Sequence, residues 1–126
     1  MAEGLQKRLQ NELEKFQTVQ KDIAKHISLR QQLDSQLSEN TLVKEELDRL
    51  EDGAAVFKMV GPALIKQELI EARQNVQKRI DYINGELKRH ENVIKDLEKK
   101  SDSHRENLSK LQHQFQQAQV KAAAKS

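Results

Sequence analysis

The stretch Leu50-Glu51-Asp52-Gly53-Ala54-Ala55-Val56-Phe57-Lys58-Met59-Val60-Gly61-Pro62-Ala63-Leu64-Ile65-Lys66-Gln67 decides the fold, because the chemistry of the chain changes there. On both sides, charged residues alternate with Leu and Ile at helical spacing. Gly53 reads as a helix stop, since the residue just past a helix C-cap often takes a positive φ that glycine adopts without strain. Val56 to Val60 is a short run of β-branched, aromatic and other apolar residues, and Ala63 to Lys66 is a second apolar run. Gly61-Pro62 separates the two and reads as a turn, which predicts a β-hairpin over 54–66. The chain's one proline sits in that turn, where it interrupts no helix.

Downstream of the hairpin, residues spaced alternately by four and three run Val76, Ile80, Ile83, Leu87, His90, Ile94, Leu97, Ser101, His104, Leu108, Leu111, Phe115, Ala118 and Ala122. Only His90, Ser101 and His104 are not apolar. Such spacing keeps one narrow stripe on one helix face, and its persistence implies coiling against a partner helix. Upstream, Leu5, Leu9, Leu13, Phe16, Ile23, Ile27, Leu33, Leu37, Leu47 and Leu50 repeat the theme less regularly, with Gln20 and Arg30 interrupting. The steps Ile27 to Arg30 to Leu33 are two successive spacings of three, which predict local overwinding. The predicted single domain, 1–126, thus has a helix over 5–51, the hairpin, a helix over 67–120 and a frayed tail at 121–126.

The hairpin returns the chain on itself, so the predicted fold is mostly α: an antiparallel two-helix coiled coil with one β-hairpin at the bend. Helix pairing covers the stripes. It leaves Val56, Phe57, Met59, Val60, Leu64 and Ile65 on both hairpin faces, with unpaired backbone groups along both strand edges. An isolated two-stranded hairpin is marginal in water, and an apolar edge invites pairing with another chain. Oligomerisation through the hairpin is expected.

Composition narrows the function. The chain is 33% charged and 3% aromatic with no Cys and no Trp, which leaves too little for the core of a compact enzyme. Its 22 basic and 20 acidic residues are interleaved, as on solvated helix faces. No uninterrupted basic run exceeds a dipeptide such as Lys99-Lys100, so nucleic acid is not an expected partner. No apolar run is long enough to span a bilayer, and a narrow stripe flanked by both charge signs is not a membrane-surface helix. Met1-Ala2-Glu3-Gly4 begins nothing like a secretory signal; a soluble cytoplasmic protein is expected, and Asn107-Leu108-Ser109 is then a chance glycosylation tripeptide. His26, His90, His104 and His113 include no i,i+4 pair, and no phosphate-binding glycine loop or converging nucleophilic triad is present. The reading is of a non-enzymatic protein with no metal and no cofactor.

The run Val56-Phe57-Lys58-Met59-Val60-Gly61-Pro62-Ala63-Leu64-Ile65-Lys66-Gln67-Glu68-Leu69 resembles the linker of β-class prefoldin subunits. Arg79-Ile80-Asp81-Tyr82-Ile83 and Val43-Lys44-Glu45-Glu46-Leu47 are also similar to that family, whose β class carries one hairpin instead of two. The resemblance implies a heterohexamer of two α-class and four β-class subunits, so three further β-class neighbours, whose hairpins form a β-barrel platform. It implies an ATP-independent holdase that binds unfolded proteins, notably actin and tubulin chains, and delivers them to the cytosolic group II chaperonin. Clients in that family are gripped near the free ends of the coiled coils, which on this sequence are lined by Leu5, Leu9, Leu13, Phe16, Leu108, Leu111 and Phe115. The competing reading is a structural or tethering coiled coil without clients.

Overall fold

A computed structural model describes residues 2–125, in the order α1 (Ala2–Asp48), β1 (Val56–Val60), β2 (Ala63–Gln67) and α2 (Leu69–Lys125). The fold is the expected one of two long helices joined by one antiparallel hairpin. Neither helix contains proline, and Leu, Glu, Gln and Lys, all good helix formers, dominate both. The less favourable Thr18 and Thr41 return their hydroxyls to the carbonyls of Glu14 and Leu37, at 3.0 and 2.7 Å. Helix α2 continues through Lys125, beyond the expected end at 120; Met1, and Ser126 of the tail expected to fray, lie outside the described residues.

The chain divides into two units. The hairpin unit, residues 29–90, holds a contiguous apolar cluster in which Leu47, Leu69, Ala72, Val76 and Ile80 are buried and Leu37 and Val56 pack against them. The terminal unit gathers α1 up to Ser28 with α2 from Glu91 onward. There the buried side chains are Val19, Ile94 and Ser101. Leu5, Leu9, Phe16, Leu108, Leu111 and Phe115 are half-buried.

On α2 the covered residues follow the predicted stripe from Val76 to Ala118, with His90 and Ser101 buried in it, and only Ala122 lies exposed. On α1 the stripe differs from the one expected. Covered positions run Leu5, Leu9, Glu12, Phe16, Val19, Gln20, Ile23 and His26 in the terminal unit, and Leu29, Leu33, Leu37, Asn40, Lys44 and Leu47 in the hairpin unit. From Leu5 to His26 and from Leu33 to Leu47 the line steps by four and three, with Gln20 covered beside it, whereas Leu13, Ile27 and Leu50 stand 43%, 42% and 39% exposed. The steps Ile23 to His26 to Leu29 are two successive spacings of three, so the short-spaced pair lies just before Arg30, which is itself exposed. Helix geometry fixes which positions face the partner, and an apolar side chain one position off that line turns outward.

The end of α1 is also set differently. The helix stops at Asp48, and Gly53, with φ 86°, serves a later turn closed by the Ala54 N–H donating to the Glu51 carbonyl at 3.1 Å. What terminates α1 is Arg73 of α2. Its guanidinium donates to the Leu47 carbonyl from Nη2 (2.9 Å) and Nε (3.2 Å) and to the Leu50 carbonyl from Nη2 (3.1 Å), with the Asp48 carboxylate 3.8 Å away. The last turn of α1 has no basic residue of its own, so the cation its carbonyl end favours comes from the other helix. Replacing Arg73 with Met is expected to lower stability by about 1–2 kcal/mol, the scale of charged hydrogen bonds reduced for partial exposure. The shift of the urea midpoint measures it, and an unchanged midpoint would remove Arg73 from this role.

Candidate functional site

The hairpin pairs Val56 with Gln67, Phe57 with Lys66, Lys58 with Ile65, Met59 with Leu64 and Val60 with Ala63. Gly61 takes φ 59° at the first central position of the turn, and Pro62 supplies the fixed negative φ of the second, the pattern of a type II′ turn. That turn's twist matches the right-handed twist of the strands it joins. Because side chains alternate along a strand, Phe57, Met59, Leu64 and Lys66 share one face. Val56, Lys58, Val60, Ala63, Ile65 and Gln67 share the other.

Of the six apolar residues expected to drive assembly, Val56 is half-buried against the core cluster. The remaining five are at least half exposed: Phe57 56%, Met59 73%, Val60 50%, Leu64 67% and Ile65 52%. The sheet has only these two strands, so each presents an outer edge of backbone donors and acceptors without a strand beside it. Apolar side chains on both faces together with open edges describe a surface built to be covered. The sequence pattern groups all six, and the structure separates Val56, packed against the core cluster, from the five that stand exposed.

The residues expected to meet clients fall in the terminal unit, and the structure gives them unequal standing. Leu5, Leu9, Phe16, Leu108, Leu111 and Phe115 line the seam half-buried, while Leu13 has turned off it. Glu12, which the apolar reading passed over, takes Leu13's expected place. Its carboxylate is hydrogen-bonded to Nδ1 of His104 and accepts from Asn107 Nδ2 at 3.3 Å. One layer further along, Gln20 Nε2 donates to the Ser101 hydroxyl at 2.7 Å. The Arg105 guanidinium lies 5.9 Å over the Phe16 ring. Glu12 was legible only by holding the four-three frame from Leu5 and Leu9 and accepting a charged residue on the seam.

The hydrogen bond with His104 holds the Glu12 carboxyl below the usual carboxylate range, and desolvation offsets only part of that effect. Asn107 and the charges of His104 and Lys15 push the same way. In the hairpin unit, the hydrogen bond from Arg89 likewise lowers Glu86, whose carboxylate lies 3.8 Å from Nε2 of buried His90. Among the described residues no cluster of three potential metal ligands exists, and no helix is long and apolar enough to cross a membrane.

Among the described residues the one sheet is a single hairpin with exposed apolar side chains on both faces, carried by two long helices, and this is the build of an assembly subunit. The family model described as a prefoldin subunit matches residues 10–115, and the chain belongs to that family. It is 53% identical over 126 residues to prefoldin subunit 6 of Canis lupus familiaris, covering 100% of this chain and 98% of that one. It is 54% identical over 123 residues to prefoldin subunit 6 of Homo sapiens, covering 98% and 95% of the two chains. The Arabidopsis thaliana protein of the same name is 47% identical over 116 residues, 92% of this chain and 90% of its own. The fold matches the crystal structure of the prefoldin beta subunit from Thermococcus strain KS-1, with a TM-score of 0.59 at 23% identity, over 88% of this chain and 91% of that one. Family membership makes the chain a subunit of a chaperone complex that assembles with other prefoldin subunits.

The Glu12 pair has a pH signature. The carboxylate bonds to His104 and Asn107 and lies in the field of Lys15, and Arg8 and Lys110 line the same groove. Because its folded pKa is depressed, its contribution to stability is complete above the unfolded carboxylate value of about 4.3 and is lost as pH falls through the lower folded value. Melting temperatures followed by circular dichroism between about pH 6 and pH 3 are expected to fall less steeply in Glu12→Gln than in the wild type, since only the latter can lose this pair. Parallel curves would show that Glu12 carries no such linkage.

Proposed function

We propose that this chain is a β-class subunit of a heterohexameric, ATP-independent holdase. Its hairpin joins those of its α-class and β-class neighbours in a β-barrel platform, and its terminal unit takes part in holding non-native chains. The observation that carries the reading is the hairpin: Phe57, Met59, Val60, Leu64 and Ile65 remain at least half exposed in a chain of the prefoldin family. Leaving apolar area of that kind in water costs roughly 25 cal/mol for each Å², so pairing with neighbouring strands is strongly favoured. No step of bond making or breaking is needed. Holding requires weak apolar contacts that repeat across several subunits, and simultaneous contacts multiply a low affinity into a useful one.

On this reading Leu5, Leu9, Phe16, Leu108, Leu111 and Phe115 supply the apolar surface for clients, with Leu13 already exposed beside them. Non-native actin and tubulin are the proposed clients, the cytosolic group II chaperonin the proposed recipient and the cytoplasm the proposed location. These follow from family likeness; the residues supply a means of apolar capture.

Two changes separate assembly from capture. The double replacement Met59→Lys and Leu64→Lys puts two charges on one hairpin face while sparing Val56 and the core. In a reconstituted mixture of the family's subunits it is expected to run as a free chain on size exclusion, with unchanged far-ultraviolet dichroism. Removing residues 1–10 together with 112–126 is expected to leave assembly intact and weaken suppression of actin aggregation. A full complex from the first variant would overturn the hairpin assignment. Undiminished suppression by the second would point to a tethering role or to another capture surface.

A further inference from the structure

We propose that two polar layers in the terminal unit, Glu12 with His104 and Asn107, and Gln20 with Ser101, set the place where the helix pair first comes apart. The seam of the hairpin unit also carries polar residues, Asn40, Lys44 and the buried His90, but that unit is closed by the contiguous buried cluster of Leu47, Leu69, Ala72, Val76 and Ile80. In the terminal unit the buried apolar side chains are Val19 and Ile94, with polar layers at other steps of the seam. Within these layers Glu12 bonds to His104 and Asn107 and Gln20 to Ser101, and among the described residues no fully buried side-chain nitrogen or oxygen lacks a hydrogen bond. The layers are therefore compatible with a closed pair, but they hold it weakly.

The physical difference lies in what separation costs. A buried leucine that meets water loses its transfer free energy with nothing in return. A carboxylate, an imidazole, an amide or a hydroxyl exchanges a protein partner for water, so the net contribution of its hydrogen bond to closure is small. Replacing a covered polar or ionic pair with apolar residues of similar volume is often stabilising for this reason. Arg105 over Phe16 covers one aromatic side chain of the unit with a group that also returns readily to water. Opening at these layers would uncover Leu9, Phe16, Leu108 and Leu111. Its use for client capture rests on the function proposed above; the opening itself does not.

Hydrogen exchange read by mass spectrometry on the full chain, free and co-assembled, tests this. In the wild type, amides of 9–23 and 97–111 are expected to exchange faster than those of 33–47 and 69–83. Fraying at the chain ends is separated by combining Glu12→Leu and His104→Leu with Gln20→Leu and Ser101→Ala. The combined variant is expected to slow exchange of the terminal unit by about tenfold or more, leaving the hairpin unit unchanged. Equal protection of the two units in the wild type overturns the proposal, a comparison that holds whether or not the variant folds. So does a helical variant whose terminal unit exchanges at the wild-type rate or faster. If exchange slows while suppression of actin aggregation by the assembled complex is unchanged, the inference stands and only the client assignment falls.

Discussion

A two-stranded ribbon cannot cover two apolar faces with its own residues. In this chain the helices cover one point of it, where Val56 packs on the cluster around Leu47 and Val76, and leave Phe57, Met59, Val60, Leu64 and Ile65 facing water. The ribbon is also too small to satisfy its own edges, because each strand has one neighbour instead of two. On the proposed reading both deficits have the same remedy, strands from other chains, and membership in a family of complex-forming subunits agrees with it.

The helices make that hairpin presentable. Arg73 caps the end of α1 from the opposite helix and ties the chain entering the hairpin to the helix leaving it. The buried cluster lies in the same unit, so the strongest apolar packing and the capping cation sit where the strands must be held. The terminal unit has no such cluster: its buried apolar side chains are Val19 and Ile94 and the others are mostly half-covered, while both seams carry polar residues, Glu12, His26, Ser101 and His104 here and Asn40, Lys44 and His90 in the hairpin unit. One sequence thus builds a contiguous buried cluster beside the hairpin and a helix pair toward its termini whose apolar side chains are mostly half-covered.

Much of this was legible in the sequence, and the misses share one cause. The α2 stripe could be followed from Val76 to Ala118 because an unbroken four-three pattern survives three polar interruptions. The hairpin was legible because Gly61-Pro62 separates two short apolar runs. On α1 the reading followed apolar residues off the frame to Leu13 and Ile27, where Glu12 and His26 hold the covered positions, and one step too far to Leu50, past the buried Leu47 that it also placed on the stripe. What makes Glu12 acceptable there is His104, 92 residues away along the chain, which a reading confined to one helix does not see. Gly53 misled for a related reason: a positive φ was expected at a helix end, but α1 is ended by Arg73 and the glycine serves the next turn. The six hairpin residues are grouped by local pattern alone, while the separate standing of Val56 depends on tertiary packing.

The central claim is that neighbouring subunits cover the hairpin faces, and oxidative footprinting of Met59 tests it most directly. Met59 is 73% exposed, its thioether is an oxidisable group, and the modification is read at that residue. Met59 is expected to react rapidly with hydroxyl radicals in the isolated chain and to be protected in the assembled complex. Equal rates in the two states, with the complex shown intact, would contradict the account.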